Sequence, residues 1–252
     1  MHEAIALEAE ETARGACAEI QPCGPAAIRV TGRGEDAETS WRTVHHLARV
    51  LASSRIPGHL GSIPTYESVL IEFDPLLTSA SDMDDHVREA LGHIDPDEPL
   101  TRSPRRFEVP VLYGESGGPD LARVAEVTGL TPDEVIECHS SARYTVRCLG
   151  APGGSPMLDG PPFPRPIPRL ESPRTSVPVG AVSVAGRQAT MTPARAPGGW
   201  CVIGQSPLHV LDLREEPPVP YSPGDILRFR PITAREFEDR RGERLAPQEA
   251  LG

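Results

Sequence analysis

Residues 144–160 read YTVRCLGAPGGSPMLDG, and the fold of the C-terminal half turns on them. YTVRCL alternates apolar and polar side chains around β-branched residues, the pattern of a half-buried strand. It runs into small residues and prolines, with Cys138-His139-Ser140-Ser141 just upstream. Such a tract is either a boundary between domains or the wall of a site.

Working outward, the flanking sequence is rich in strand signals. FEVPVLY (107–113) precedes the stretch, and AVSVAG (181–186), WCVIG (200–204), HVLDL (209–213) and DILRFRPI (225–232) follow it. Turn residues at Pro197-Gly198-Gly199 and Ser222-Pro223-Gly224-Asp225 separate several of them. Many short strands at such intervals predict a barrel or sandwich. Two helices interrupt the pattern. Asp120 is placed to cap LARVAEVT, with Gly129 as the stop, and Thr131-Pro132-Asp133-Glu134 spells a capping box with proline at the first helical position. His139 ends that second helix, where the helix dipole favours an imidazolium.

The N-terminal half has a different rhythm. AAIRV (26–30) and SVLIEFD (68–74) read as strands. Ser40 is placed to cap a helix carrying Trp41, Val44, Leu47 and Leu51, and Ser81 one carrying Met83, Val87 and Leu91. The order β, α, β, α predicts a small α+β sandwich. His45 and His46 point about 100° apart on a helix, too far to share one metal. The expected organisation is an acidic leader over 1–18, an α+β domain over 19–95, a polar link (DPDEPLTRSPRR, 95–106), a β domain over 106–235 and a polar tail over 236–252.

Composition narrows the function. A formal charge of -11 opposes a nucleic-acid partner, because phosphate binding needs a basic stripe. All 25 basic residues are arginine, and the Arg102, Arg105, Arg106 group reads as solvated surface. The acidic leader lacks the basic and apolar regions of a secretory signal, and no apolar run reaches the ~20 residues of a membrane span. A cytoplasmic protein with no membrane partner is expected. Five cysteines without a C-x-x-C pair predict reduced thiols and no metal site. Walker A, G-x-G-x-x-G, G-x-S-x-G and H-E-x-x-H motifs are absent, and GRGED (32–36) and GESGG (114–118) read as turns.

Several longer phrases carry more. Residues 107–150, PRLESPRTSVPVGAVSVAG (168–186), APGGWCVIGQSPL (196–208) and PGDILRFRPI (223–232) resemble, in order, the KipI/PxpB family, which takes in the B-type subunits of 5-oxoprolinase, allophanate hydrolase subunit 1-like proteins and carboxyltransferase domains C/D. IQPCGPAA (20–27) and LIEFDPL (70–76) extend the resemblance over roughly residues 19–235. It implies a ferredoxin-like α+β domain followed by a cyclophilin-like β-barrel. It also implies a larger KipA/PxpC-like subunit as partner, with a small-molecule substrate. The assembled complex would open 5-oxoproline at the expense of ATP. No cofactor is assigned to this chain itself, and ATP is expected only within the complex.

Site residues follow from the resemblance. His139 would act as general acid or base, with Ser140 and Ser141 orienting substrate or capping the helix end. Arg169 and Arg174, each after a proline, would clamp a carboxylate or phosphate, or brace loops. Gln188 and Thr190 are candidate polar contacts. Gly198 and Gly199 would bring backbone amides to a ligand beside Trp200. The opening stretch departs from the family's Gly-Phe-x-Pro-Gly-Phe-Pro-Tyr-Leu: Ala151, Ser155 and Met157 stand where the rings would be. It would then be a loop lining an enlarged barrel pocket rather than a linker. Three functions fit: a B-type component of an ATP-dependent 5-oxoprolinase, amide-cleaving or carboxyl-transfer complex, a stand-alone enzyme for a bulky substrate such as a secondary-metabolite cyclase, and a KipI-like regulator that binds a histidine kinase.

Overall fold

The structure, a computed structural model, describes residues 17–101, 103–114 and 117–248. Residues 1–16 of the expected leader, two residues of the GESGG turn and residues 249–252 lie outside the described residues. The chain divides into two compact units, Met1–Arg102 and Ser103–Gly252.

In the first unit, strands β1 (Ala18–Pro22), β2 (Ala27–Gly32), β3 (His59–Pro64) and β4 (Ser68–Phe73) form an antiparallel sheet in the order β1-β2-β4-β3. Helices α1 (Ala37–Ser53) and α2 (Ala80–Gly92) bury the stripes Val44, Leu47, Leu51 and Met83, Val87, Leu91 against Ile28, Val30, Val69, Ile71 and Phe73. This is a ferredoxin-like sandwich in which the closing strand, usually last, comes first as β1. The expected β, α, β, α order lacked β1 and β3. Both are sheet edges, and β3 leaves Leu60 71% and Ile63 50% exposed around Gly61, so neither shows a clean alternation. The helices also start earlier than expected. Asp36 caps α1 by accepting from Thr39 N at 2.7 Å, and Ser79 forms a capping box with Asp82. Ser40 is instead buried inside α1 and accepts from Gly34 N. His45 is buried with Nε2 on Thr65 O, while Nε2 of His46 meets Glu98 O, so the two rings diverge.

The second unit contains β5 (Arg106–Tyr113), α3 (Leu121–Thr128), α4 (Pro132–Ser141), β6 (Tyr144–Gly150), β7 (Ser155–Asp159), β8 (Arg174–Val177), β9 (Ala181–Ala185), β10 (Gln188–Met191), β11 (Ala196–Gly198), β12 (Cys201–Gln205), β13 (Ile226–Pro231) and α5 (Ala234–Asp239). Seven strands close a barrel in the order β10-β7-β6-β13-β5-β12-β9, with β9 pairing back to β10. The β8–β11 ribbon lies outside it and packs Val177 on Ala181 and Val202. That contact covers the outer face of β9, which is buried at every position.

Tyr144–Gly160 is a hairpin. β6 and β7 pair antiparallel, Gly150 opposes Ser155, and Ala151–Gly154 makes the turn, with Gly153 and Gly154 at positive φ. HVLDL does not form a strand. Leu208 and Val210 are buried, but the segment makes only the isolated bridge between His209 and Arg244. A closed barrel leaves no free edge for it to join. The expected polar tail is folded onto the barrel through residue 248, burying Phe237 and Leu245.

β13 enters the barrel between β5, which it meets in parallel, and β6, which it meets antiparallel. A clasp sits at its start. The Asp225 carboxylate accepts from Arg105 N at 3.0 Å, Arg105 Nη2 at 2.5 Å and Ser222 N at 2.8 Å, and Asp225 is buried. Buried charge-assisted hydrogen bonds contribute ~1.5–3 kcal/mol each in isolation and are not additive. Asp225→Ala should therefore lower the unfolding free energy by about 2–4 kcal/mol in urea titrations. Arg235→Ala, whose side chain is 92% exposed, should change it by less than about 0.5 kcal/mol.

Candidate functional site

The expected site residues fall into three groups, and among the described residues no hydrogen bond or ring contact joins an expected site residue of one group to one of another.

The first group gathers around Asp120. The residue stands at the N-cap of α3, as expected, yet its side chain does not cap the helix. Its Oδ2 accepts from Val202 N at 2.7 Å and its Oδ1 from Arg174 Nη2 at 2.7 Å. The acid is buried and the arginine about one-third exposed. The hydrogen bond to Asp120 raises the Arg174 pKa, so the guanidinium keeps its charge. Its Nη1 is buried and without a partner among the described residues, a donor still unspent. β8 places Arg174 opposite Gly198 of β11, and Gly199 O accepts from Leu170 N at 2.7 Å. Arg169, one residue earlier, lies 6.0 Å over the Trp200 ring. Arg174, Arg169, Gly198, Gly199 and Trp200 are thus brought together, although 54 residues separate Asp120 from Arg174. A Cβ on Gly198 would come within 3.0 Å of Val177, so glycine keeps the ribbon close there.

The second group is the β6–β7 hairpin and the neighbouring β10. Ser155 is buried and donates from Oγ to Pro152 O at 3.0 Å, inside its own turn. Thr190 Oγ1 donates to Pro156 O at 3.0 Å. Met157 is half-buried and lies against Gly150; Ala151 is exposed on the turn. Gln188 opposes Asp159 and Ala185 in the barrel ladder. None of Ala151, Ser155 and Met157 lines the nearby groove of about 360 Å3, formed by His209, Leu211, Asp212, Arg214 and Arg244; a Cβ on Gly153 of the turn would come within 2.9 Å of Leu211. The hydroxyls of Ser155 and Thr190 are spent on backbone carbonyls of the hairpin.

The third group is His139 and Ser140, both buried at the end of α4. His139 has no exposed surface. Its ring stacks 4.6 Å from Phe229 and 5.4 Å from Tyr144, and its Nδ1 lies 2.7 Å from the Tyr113 hydroxyl. Tyr144 OH donates to His139 O, and His139 Nε2 has no partner among the described residues. The expected imidazolium is not what the environment favours. A helix C-terminus stabilises a cation by up to ~2 kcal/mol. Full burial shifts a base by up to 3–5 pKa units, several kcal/mol. Burial wins and pushes the His139 pKa down to about 3. The ring is neutral at ordinary pH and out of reach of solvent. Ser141 is exposed at the helix end.

Sequence reasoning missed the acid of the Asp120–Arg174 pair and both tyrosines around His139. Asp120 carried a signal, but a helix-cap signal, and nothing local reveals that its carboxylate crosses to another strand. Burial pushes the Cys138, Cys148 and Cys201 thiols up, Cys148 to about 11, which makes them poor nucleophiles. Among the described residues no cluster of three or more His, Cys, Asp and Glu is placed to hold a metal, and no helix is long and apolar enough to cross a membrane.

Known proteins resemble the chain over nearly all of this architecture. The family described as carboxyltransferase domain, subdomain C and D, matches residues 18–221. A B-type subunit of the 5-oxoprolinase of Bacillus subtilis is 33% identical over 229 residues, 87% of this chain and 95% of the relative. The crystal structure of TTHA0988 is 32% identical, with a TM-score of 0.67 over 86% of this chain; the chain spans 41% of that longer molecule. The Kluyveromyces lactis urea amidolyase shares the fold, with a TM-score of 0.71 over 94% of this chain and 16% of its own, at 19% identity.

His139 carries a pH signature with a definite sign. Its folded pKa lies near 3 and its ordinary value is 6.5, so its neutral burial stabilises the fold fully above pH 6.5. That contribution is lost as pH falls from 6.5 towards 3, at up to about 1.4 kcal/mol per pH unit. Urea-unfolding free energies measured between pH 6.5 and 4 should therefore fall less steeply in His139→Phe than in the natural chain. Equal slopes, or an NMR titration of the His139 ring between pH 5 and 8, would contradict the assignment.

Proposed function

The chain belongs to the carboxyltransferase-domain family of subdomains C and D, and on that premise we propose that it is the B-type subunit of an ATP-dependent 5-oxoprolinase-like complex. One observation carries this: the end-to-end correspondence with a relative named as the B-type subunit of a 5-oxoprolinase, across 95% of that relative. The partner in this proposal is a larger C-type subunit, and ATP is consumed by the assembly.

The chemistry suits the first of the three groups. Amide resonance protects a lactam from water, so opening it requires stabilisation of charge that develops on the amide oxygen. Arg174 is a permanent cation whose Nη2 is held by Asp120 and whose Nη1 has no protein partner among the described residues. The Asp120 contact pre-orients the guanidinium, whose partly exposed face would meet a substrate oxygen, which lowers the reorganisation needed in the reaction. Arg169 over Trp200 supplies a second guanidinium for the substrate carboxylate, and Gly198–Gly199 let the backbone approach. His139 acts as a positioning residue, holding Tyr113 and the end of α4 from within the core.

Co-expression with a C-type and an A-type subunit, followed by ATP-dependent glutamate release from 5-oxoproline, tests the proposal. The chain alone should be inert and the reconstituted complex active. Arg174→Ala should reduce turnover by about 10²–10³-fold, as loss of one preorganised donor does elsewhere, while the complex still elutes intact. Turnover by the isolated chain, or full activity in Arg174→Ala, would overturn it.

A further inference from the structure

Several arginines on the barrel wall are neutralised. Arg105 is paired with Asp225, Arg147 with Asp159, and Arg230 with both Glu108 and Glu236. Others, Arg169 and Arg187 among them, have no carboxylate partner among the described residues, and three of the unpaired ones converge. Arg106, Arg143 and Arg228 line one groove of about 320 Å3, and among the described residues none of them has a carboxylate partner.

Strand register explains why they converge. On β13, Leu227 and Phe229 face the core, so Arg228 faces out; on β5, Phe107 and Val109 face in and Arg106 faces out. Ile226 opposes Arg106 in the parallel pair, which makes Arg228 the diagonal neighbour of Arg106. On the other side, Ile226 opposes Thr145 and Leu227 opposes Tyr144. One step further along that register, Arg228 stands across from Arg143. Glu108 is the residue level with Arg228 on β5, but its carboxylate is held by Arg230 at 2.8 Å.

Like charges directly opposite one another destabilise a sheet. In a chain with 36 acidic residues and a net charge of -11, three clustered cations without an acid are a local exception. Pro104 and Ile226 border the groove beside the three guanidinium groups. Gln248 closes one side, tied in place by its backbone N–H on Arg106 O at 2.7 Å.

We propose that the groove formed by Arg106, Arg143 and Arg228 is a binding site for a phosphoryl group of a small molecule, separate from the Arg174 group and independent of the function proposed above. A carboxylate offers two oxygens and one charge. A phosphate or pyrophosphate offers three or more oxygens and at least two charges, the better match for three guanidinium forks.

Calorimetric titration of the full chain with inorganic pyrophosphate tests this, with ionic strength held constant by sodium chloride. The natural chain should show one saturable site. Arg143→Gln and Arg228→Gln should each weaken it by about tenfold or more. Arg235→Gln, on the exposed face of α5, should leave it unchanged. Both groove variants should melt at or above the temperature of the natural chain, since repulsion is relieved. Absence of a saturable site, equal weakening by Arg235→Gln, or malonate binding as tightly as pyrophosphate would overturn the proposal.

Discussion

The insertion of β13 between β5 and β6 is the constraint on which the second unit depends. Without it the barrel has two open edges; with it every strand of the barrel has two neighbours. The same six residues serve both faces of the wall. Leu227 and Phe229 point inward and complete the core around His139 and Tyr144. Arg228 and Arg230 point outward, one into a groove without acids and one into a pair of carboxylates. The Asp225 clasp sets where the strand begins, and so which residues face which way. A slip of one residue would exchange the two faces.

Two buried polar groups show how the fold treats charge. Asp120 is buried with a cation and a backbone N–H, so its charge is compensated. His139 is buried with a neutral phenol and aromatic rings, so it gives up its charge instead. This contrast separates the two residues expected to be catalytic. Arg174 keeps its charge and a partly exposed side chain, with its unused Nη1 buried. His139 keeps neither charge nor access. The arginine is therefore the group suited to meet a substrate, and the histidine the group suited to hold the barrel interior.

Much of the architecture was legible because it rests on local chemistry. Thr131-Pro132-Asp133-Glu134 starts α4 with the capping box it spells, and Val44, Leu47 and Leu51 face the sheet as their spacing requires. The elements that were missed have short or compromised patterns. β8, β10 and β11 are three or four residues long, β7 carries Pro156, and β3 is an exposed edge. Their strand character comes from partners rather than from their own residues. HVLDL is the reverse case: a strand-like pattern with no free edge left to pair with.

The site divides in the same way. Arg174, Arg169 and Gly198–Trp200 entered as site candidates through the family resemblance of the phrases that contain them, with the bidentate reach of arginine and the close approach glycine allows as the chemical reason. Residue pattern by itself was enough for an α+β unit followed by a β unit. Which carboxylate holds Arg174, whether His139 is charged, and which arginines stand unpaired were decided only by the tertiary structure. Each depends on dielectric surroundings and on partners dozens of residues away, and a local pattern carries information on neither.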